Sequence, residues 1–324
     1  MAGVGASSRN PGASFAKPQS SPGHPIQPDI QKRIGPALCL KRITMNNPFS
    51  PSTILAIDAG NSRMKFGLFE PGQSSLSKQA WPECQQFEAM PVEDAIPWDM
   101  LSAWTEQTGR RAAISGTNPR AVERLLEGWQ TQGWPAPFLV RDCSMIPVEM
   151  DVDFPEKVGL DRLLSAVAAN ALRPADRAAI VIDSGTATTV NSISAEGVFC
   201  GGAILPGLEM SAKALHHYTA LLPLLPVHEL GGDEPIAPGR NTREAIRNGL
   251  LWGQVGAIRE LVHQLCRHQD HAAETFDATR APWLVLTGGG GPVLSPHFPG
   301  VMRLPSLGMH GLVLTAWEHV ANSC

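Results

Sequence analysis

The sequence is poor in charge, in paired cysteines and in long apolar runs, and it contains one tyrosine, Tyr218. Charged residues make up 17% of the 324 residues and apolar residues 43%, which is typical of a globular chain that buries much of its surface. The six cysteines lie far apart with no C-x-x-C spacing. We therefore expect reduced thiols in a cytoplasmic protein, rather than disulfides or a zinc site. No apolar run approaches the roughly 18 residues of a membrane span, so no membrane partner is expected.

Two common nucleotide-binding motifs are also absent. The sequence contains no G-x-x-x-x-G-K-[ST], and "LTGGGG" at 286–291 does not continue into G-x-G-x-x-G, because position 293 is valine. Neither a P-loop nor a Rossmann site is therefore expected. Four glycines directly after a strand still allow a flat ligand such as a nucleotide to approach the backbone closely.

Charge is unevenly distributed along the chain. The first 52 residues contain six Lys or Arg and one acid, whereas the whole chain has a net charge of −4. The remainder is acidic, which disfavours a nucleic-acid partner because phosphate neutralisation supplies most of that affinity. Residues 1–52 also contain eight prolines and no apolar periodicity, so we expect a disordered N-terminal extension. A translation start at Met45 is an alternative explanation of this upstream composition.

From residue 53 onward, strand and helix patterns mix. Strands are predicted at 53–59, 64–70, 111–116, 178–185 and 282–287, a hairpin follows over 186–204, and helices are predicted at 119–132, 159–172, 207–221, 242–268 and 309–321. One pattern occurs twice: "LAIDAGNSRMKFGLFE" and "IVIDSGTATTVNSISA" both run from an apolar strand through Asp, a small residue and Gly into a second strand. This repeat predicts two similar α/β halves, residues 53–175 and 176–324, with a ligand between them.

The two repeated turns carry the chemistry of a polyphosphate site. The first contains Asp58, Gly60 and Lys65, and the second contains Asp183 and Gly185 among threonines. A glycine after a strand lets backbone N–H groups approach a phosphate, and a carboxylate beside a phosphate is explained if Mg²⁺ lies between them. The alternative interpretation is two ordinary β-hairpin turns.

Further polar residues occur at predicted helix starts. Asp161 and Arg162 follow Gly159, where the acid is either a first-turn residue that suits the helix dipole or a general base for a substrate hydroxyl. In the second reading Arg162 binds an acidic group of the substrate. Asn241 and Glu244 resemble an N-terminal capping box. The adjacent His216 and His217 face different sides of a helix, so we interpret them as surface or packing residues.

Together these residues resemble the type III pantothenate kinase family, which includes proteins named Bvg accessory factor. The matching motifs, in the family's order, are "DAGNSRMK" (58–65), "GLDR" (159–162), "DSGTATTVN" (183–191), "GVFCGGAILPG" (197–207), "TALLP" (219–223), "GRNTREAIRNG" (239–249) and "TGG" (287–289). The resemblance implies the actin-like ATPase (ribonuclease H-like) fold, two duplicated α/β halves with ATP in the cleft. It also implies phosphorylation of pantothenate to 4′-phosphopantothenate in coenzyme A biosynthesis by a homodimer.

The resemblance also implies roles for individual residues. In the family the first motif holds ATP, which corresponds here to Asp58, Ala59, Gly60, Asn61, Ser62, Arg63, Met64 and Lys65. Thr186 would also meet ATP, which is bound with Mg²⁺, and Asp183 would bind a monovalent cation, K⁺ or NH₄⁺. Pantothenate would be bound by Gly159, Leu160, Asp161, Arg162 and Thr242, with Asp161 as the catalytic base.

Three positions depart from the family pattern. Ser62 replaces the usual threonine and keeps the hydroxyl, Asn191 replaces a common aspartate, and Val152 stands where many members have a tyrosine that lines the pantothenate pocket. Other readings of this sequence are an accessory transcriptional regulator of the same fold, a kinase for another small hydroxylated acid such as a sugar acid, and a non-enzymatic structural member of the actin-like group. The set of Asp58, Lys65, Asp161, Arg162 and Asp183 favours a working kinase.

Overall fold

The computed structural model describes residues 51–73, 80–231, 238–269 and 281–323. The predicted disorder of residues 1–52 falls almost entirely outside this part of the chain, as does the alternative start at Met45. The described residues lie within one unit, Met45–Cys324. No helix in these ranges combines the length and apolar character needed to cross a bilayer.

The first half is built on a five-stranded sheet in the order β3-β2-β1-β4-β5. Strands β1 to β3 form an antiparallel meander, and β4 and β5 continue the sheet parallel to β1. The strand β1 is apolar and almost wholly buried, which suits a central strand covered on both faces. The elements in chain order are β1 Ile54–Ala59, β2 Arg63–Gln73, β3 Ala80–Pro91, α1 Trp98–Gln107, β4 Ala112–Gly116, α2 Pro119–Thr131, β5 Phe138–Leu139 and α3 Leu160–Leu172.

The second half repeats this topology in the order β8-β7-β6-β9-β10. Again the first three strands are an antiparallel meander and the last two run parallel to the first. The elements are β6 Ala179–Ser184, β7 Ala187–Ile193, β8 Phe199–Pro206, α4 Leu208–His217, α5 Thr242–Gln269, β9 Trp283–Thr287, α6 Gly291–Leu294, β10 Met302–Arg303 and α7 Leu307–Ser323. The prediction of two duplicated α/β halves is therefore confirmed.

Two helices, α3 and α7, join the halves. They pack against each other, and Gly311 permits a close approach because a Cβ there would lie 1.8 Å from the Leu164 carbonyl oxygen. Both helices share one apolar core with residues of β1 and β6, while each sheet has a further core of its own. The N-terminus of α3 is thereby held between the two sheets, at the level where β1 and β6 end.

The predicted elements are present, with different ends, and five of the elements given above were not predicted: β3, α1, β5, α6 and β10. The helix expected over 207–221 ends at His217, where the Thr219 hydroxyl donates to the Leu215 carbonyl (2.6 Å) and satisfies a helix-terminal acceptor. Strand β3 and helix α1 were missed. Residues 83–88 of β3 are all exposed, because β3 is an edge strand, and such a strand shows no alternation of apolar and polar residues.

Candidate active site

Three carboxylates and one lysine, which come from four elements, lie close enough for their charges to interact. Asp58 lies near the end of β1, Asp183 near the end of β6, and Asp161 in the first turn of α3. The charges of Asp58 and Asp161 contribute to the raised pKa of Asp183, and all three carboxylates raise the pKa of Lys65. The duplicated topology therefore brings together side chains that lie more than one hundred residues apart in the sequence.

In the first turn the acid is paired with a lysine. Asp58 and Lys65 are direct cross-strand neighbours in the β1–β2 hairpin, and the Lys65 Nζ lies 2.8 Å from the Asp58 Oδ2. The Asp58 charge is the main cause of the raised pKa of Lys65, and desolvation opposes it. The ion pair thus keeps Lys65 fully charged beside the cleft.

The other residues of this turn differ in what they offer to a ligand. Asn61, Ser62 and Arg63 are exposed, so their side chains are accessible. Ala59 and Met64 are buried in the apolar core of the first sheet, which leaves only their backbone groups. The Gly60 N–H is used within the turn, because it donates to the Arg63 carbonyl (3.0 Å).

The second turn is shaped by glycines and touches the first. Gly185 and Thr186 are exposed, and Gly207 packs directly behind them, since a Cβ on Gly207 would lie 2.3 Å from the Gly185 carbonyl oxygen. The Thr186 hydroxyl donates to the Ser62 hydroxyl at 2.8 Å. The two turns therefore face each other across the cleft, as a site that holds a polyphosphate from both sides requires.

Asp183 differs from Asp58 because its carboxylate has no neutralising partner. Among the described residues, no hydrogen bond or ion pair reaches it, and desolvation is the main cause of a pKa raised to about 6, with Lys65 acting in the opposite direction. Gly288 lies against it with a φ of +85°, and a Cβ there would be 2.5 Å from the Asp183 Oδ1. This explains one glycine of "LTGGGG". A desolvated carboxylate without a neutralising partner is suited to a cation.

Asp161 has the environment of a proton acceptor. Water reaches its side chain, although protein surrounds it closely, and desolvation followed by the Asp58 charge raises its pKa. The Oδ1 accepts a hydrogen bond from the Arg162 backbone N–H at 2.9 Å. Gly159 precedes the helix, where a Cβ would lie 2.6 Å from that same oxygen.

Arg162 forms no ion pair with any described residue, although the charge of the neighbouring Asp161 acts on it. Its Nε donates to the Asn191 Oδ1 at 2.7 Å, and its Cζ lies 5.3 Å from the centre of the Phe199 ring. The Asn191 Nδ2 in turn donates to the Thr189 hydroxyl at 3.0 Å. Sequence reasoning named Asn191 only as a missing charge and did not name Phe199. The alternation of Thr189 and Asn191 along β7 was an available signal, because residues two apart point to the same face of a sheet.

Two predicted site residues, and Val152 as a departure from the family pattern, differ in setting from the residues above. Leu160 is partly buried and packs against the core that the two halves share, and its contact with pantothenate stays a prediction. Thr242 is exposed at the first position of α5, and within the described residues no hydrogen bond or ion pair connects it to Asp161 or Arg162. Val152 also packs against the shared core. The capping role expected of Asn241 is borne out, since its side chain accepts from the Glu244 N–H at 3.0 Å.

The donor set fits a nucleotide with its cations better than a metal centre built by the protein alone. In the described part of the chain, no group of three or more His, Cys, Asp or Glu is arranged to hold a metal. Mg²⁺ bound with a nucleotide usually takes one or two carboxylates and completes its shell with phosphates and water, which Asp58 and its neighbours can provide. His216 and His217 are exposed on α4, and neither is assigned a role in this site.

Comparisons with known proteins agree with this geometry. The sequence model of the type III pantothenate kinase family matches residues 54–264. A type III pantothenate kinase of Rubrobacter xylanophilus is 42% identical over 275 residues, which cover 80% of this chain and 95% of that protein. One from Gluconobacter oxydans is 33% identical over 270 residues, covering 81% and 92%.

A solved structure shows a similar fold. It is a conserved protein of Campylobacter jejuni assigned to the Baf family of transcriptional activators, with a TM-score of 0.50 and 18% identity, covering 82% of this chain and 98% of that one. At this identity the likeness concerns the fold alone.

Proposed function

Because this chain belongs to the type III pantothenate kinase family, we propose that it transfers the γ-phosphoryl group of ATP to the 4′-hydroxyl of pantothenate. The hydroxyl oxygen forms a bond to the γ-phosphorus, the bond from that phosphorus to the β,γ-bridging oxygen breaks, and ADP leaves. The product, 4′-phosphopantothenate, begins coenzyme A biosynthesis, and we place the reaction in the cytoplasm.

The observation that carries this proposal is the convergence of Asp58, Lys65, Asp161 and Asp183 where the two halves meet. Phosphoryl transfer depends mainly on positioning and on stabilising charge. Lys65 would bind the phosphate oxygens, while the exposed Asn61, Ser62 and Thr186 would donate hydrogen bonds to them. Mg²⁺ bound near Asp58 would supply further neutralisation of the phosphates.

Asp161 and Arg162 would serve the acceptor substrate. Asp161 would take the proton of the reacting hydroxyl, a role that suits its raised pKa because the stronger base is the better proton acceptor. The guanidinium of Arg162 would bind the pantothenate carboxylate, which would align the other end of the molecule with the γ-phosphate. Thr242 would complete the acceptor site.

The unpaired carboxylate of Asp183 would hold a monovalent cation, K⁺ or NH₄⁺. We also propose a homodimer, with pantothenate bound near the interface. Large apolar side chains are available on the surface for such an interface, since Ile204 is 63%, Tyr218 83% and Leu221 91% exposed.

A coupled assay of ADP release tests the activity. Pantothenate and a panel of small hydroxylated acids, including sugar acids, are offered with ATP and Mg²⁺, with and without K⁺. We expect turnover of pantothenate that depends on K⁺. Turnover of a different acid would indicate a kinase of another specificity, and no turnover at millimolar K⁺ and Mg²⁺ would favour the regulator.

Replacement of the proposed base gives the largest expected effect. Asp161→Asn keeps the size of the side chain but removes its basicity, so kcat for pantothenate should fall roughly 10²–10⁴-fold. The matched control is Asp142→Asn, which changes an exposed aspartate whose oxygen accepts hydrogen bonds from Ser144 and should leave kcat unaltered. Retention of wild-type kcat by Asp161→Asn would exclude the assigned role.

A further inference from the structure

One row of side chains crosses the second sheet at the level of Asp183. Thr189 of β7 pairs directly with Asp183 of β6, and Ile204 of β8 pairs directly with Thr189. Directly paired residues of antiparallel strands carry their side chains on the same face of the sheet. Because neighbouring strands lie about 4.8 Å apart, the backbone of Ile204 is about 10 Å from that of Asp183. Ile204 therefore shares a face with Asp183, two strands away from it.

This face of the sheet forms the floor of the cleft. Asn191 points to the same face as Thr189, since the two are separated by one residue along β7, and it accepts from the Arg162 Nε. The start of α3 therefore lies over this face. On the opposite face, Val190 and Leu205 pack into the core that the second sheet shares with α4 and α5. The row of Asp183 thus faces the cleft and not the helices behind the sheet.

Ile204 is the apolar member of this row, and its side chain is open to the cleft. It is 63% exposed, whereas the next residue, Leu205, is partly buried in the core on the other face. Single exposed apolar residues are common on protein surfaces, so the informative observation is the position of Ile204 beside a carboxylate and a hydroxyl. At this position an isoleucine adds little to the stability of the fold but offers apolar surface to a ligand.

The strand order separates a nucleotide side of the cleft from an acceptor side. In the order β8-β7-β6-β9-β10, strand β6 has β7 and β8 on one side and β9 on the other. The glycines that allow a nucleotide to approach, residues 288–291, follow β9. Arg162 lies over β7 instead, where it contacts Asn191. With a phosphate near Asp183, the row through Thr189 and Ile204 extends under the acceptor and away from the nucleotide.

We propose that Ile204 is a specificity-determining residue for the acceptor, and that its side chain contacts the quaternary carbon next to the reacting hydroxyl. In pantothenate the 4′-hydroxyl is carried by a CH₂ group, which is attached to a carbon that bears two methyl groups. These methyl groups are the apolar part of the acceptor nearest to the γ-phosphate. Their removal from water against Ile204 favours binding and orients the hydroxyl toward Asp161. The inference rests on the proposed function and extends it to a residue of β8.

Two acceptors and two variants of the full-length chain isolate this contact. The acceptors are pantothenate and N-(2,4-dihydroxybutanoyl)-β-alanine, which has hydrogen in place of both methyl groups but keeps the reacting hydroxyl and the carboxylate. Ile204→Ala removes the apolar contact, and Ile204→Trp fills the space that the methyl groups would occupy. Values of kcat and KM are measured for both acceptors at saturating ATP.

The expected result is a change in preference between the two acceptors. Ile204→Ala should lower kcat/KM for pantothenate roughly tenfold, the low end of what one methylene contributes in an apolar subsite. For the analogue, kcat/KM should change less than about twofold, because the groups that Ile204 would contact are already missing. Ile204→Trp should impair pantothenate more than the smaller analogue. A general disturbance of the site would instead lower kcat/KM for both acceptors by the same factor.

The chain offers a control for the loss of an exposed apolar side chain. Val320 is 42% exposed in the last part of α7. It follows Trp317, whose indole donates to the Ser52 carbonyl at 2.9 Å, before β1 begins and thus at the opposite end of that strand from Asp58. Val320→Ala should alter kcat/KM for neither acceptor. Because Ile204 is exposed, thermal unfolding of Ile204→Ala should match that of wild type.

The outcomes distinguish this inference from the proposed function. Unchanged kcat/KM for pantothenate in Ile204→Ala, or an equal loss for both acceptors, would overturn the inference alone. The molecular mass of each variant in solution is measured as well, and a loss of activity that accompanies dissociation of a dimer would assign Ile204 to the interface and overturn the inference. A wild-type protein that phosphorylates neither acceptor would overturn the proposed function and the inference with it.

Discussion

The two halves repeat one strand–turn–strand unit but differ in how the charge of the aspartate in each turn is balanced. In the first turn Asp58 faces Lys65 across the hairpin and is paired with it at 2.8 Å. In the second turn Asp183 faces Thr189, and its carboxylate has no partner among the described residues. The two turns also differ by one residue in length, since Ala59 pairs with Met64 but Ser184 pairs with Thr188.

This difference indicates a division of roles within a duplicated scaffold. The first turn keeps a permanent cation beside the cleft, which is suited to phosphate oxygens. The second turn keeps a half-buried carboxylate, whose pKa of about 6 reflects the desolvation that opposes its ionisation. A cation from solution would relieve that penalty, so an ionic requirement of the reaction is expected to reside in the second half.

Among changes to the two turns, removal of the lysine of the first turn should reduce activity most. Lys65→Met retains the apolar stem and removes the charge, so kcat/KM for ATP should fall roughly 10²-fold, the cost of losing one preorganised charged donor. The control is Lys213→Met, because Lys213 also forms an ion pair, with Glu209 at 2.7 Å, but on the exposed helix α4. Equal activity of the two variants would show that the first turn does not bind the phosphates.

Neutralising the acid of each turn should change activity and stability in different ways. Asp183→Asn should lower activity about 10- to 100-fold, the range seen when groups that support a metal site are replaced, and should abolish stimulation by K⁺. In buffer without monovalent metal cations or NH₄⁺, the same variant should be more stable than wild type above pH 6. Asp58→Asn should be less stable than wild type, by about 1–2 kcal/mol, because it leaves Lys65 without its partner.

The effect of Asp183 on folding stability depends on pH, and its sign follows from the raised pKa. Its pKa rises from 3.8 in the unfolded chain to about 6 in the fold, so the folded state binds the proton more tightly. Ionisation of Asp183 therefore lowers the free energy of unfolding as the pH rises from about 4 to 6. Above that range the loss is complete and amounts to about 3 kcal/mol. Urea unfolding at pH 5 and pH 8 should show the advantage of Asp183→Asn growing with pH. A constant difference would contradict the assigned pKa.

The contact between the two turns should have the smallest effect. Thr186→Val removes the hydroxyl that donates to Ser62 while preserving shape, so KM for ATP should rise about three- to tenfold, with kcat little changed. Thr131→Val is a suitable control, because the exposed Thr131 hydroxyl donates to the Gly128 carbonyl within α2. An unaltered KM in Thr186→Val would place the nucleotide away from this contact.

Much of the fold was predictable because its information is local. The apolar strands before Asp58 and Asp183 and the Asn241–Glu244 cap follow from short-range pattern and propensity. Strand β3 was not predictable in this way, since residues 83–88 are all exposed and its pairing with β2 is a tertiary interaction. The identities of the candidate site residues were also predictable from the sequence, but the contacts among them were not.

The sequence alone determined that two Asp–small–Gly turns follow two apolar strands, because residue order along a strand sets which side chains stand at its end. Only the tertiary structure decided that Lys65 neutralises Asp58 while no described residue pairs with Asp183, and that the amide of Asn191 accepts from Arg162. The reason is physical: pKa values and ion pairs depend on distance and desolvation, and both arise only when distant segments pack together.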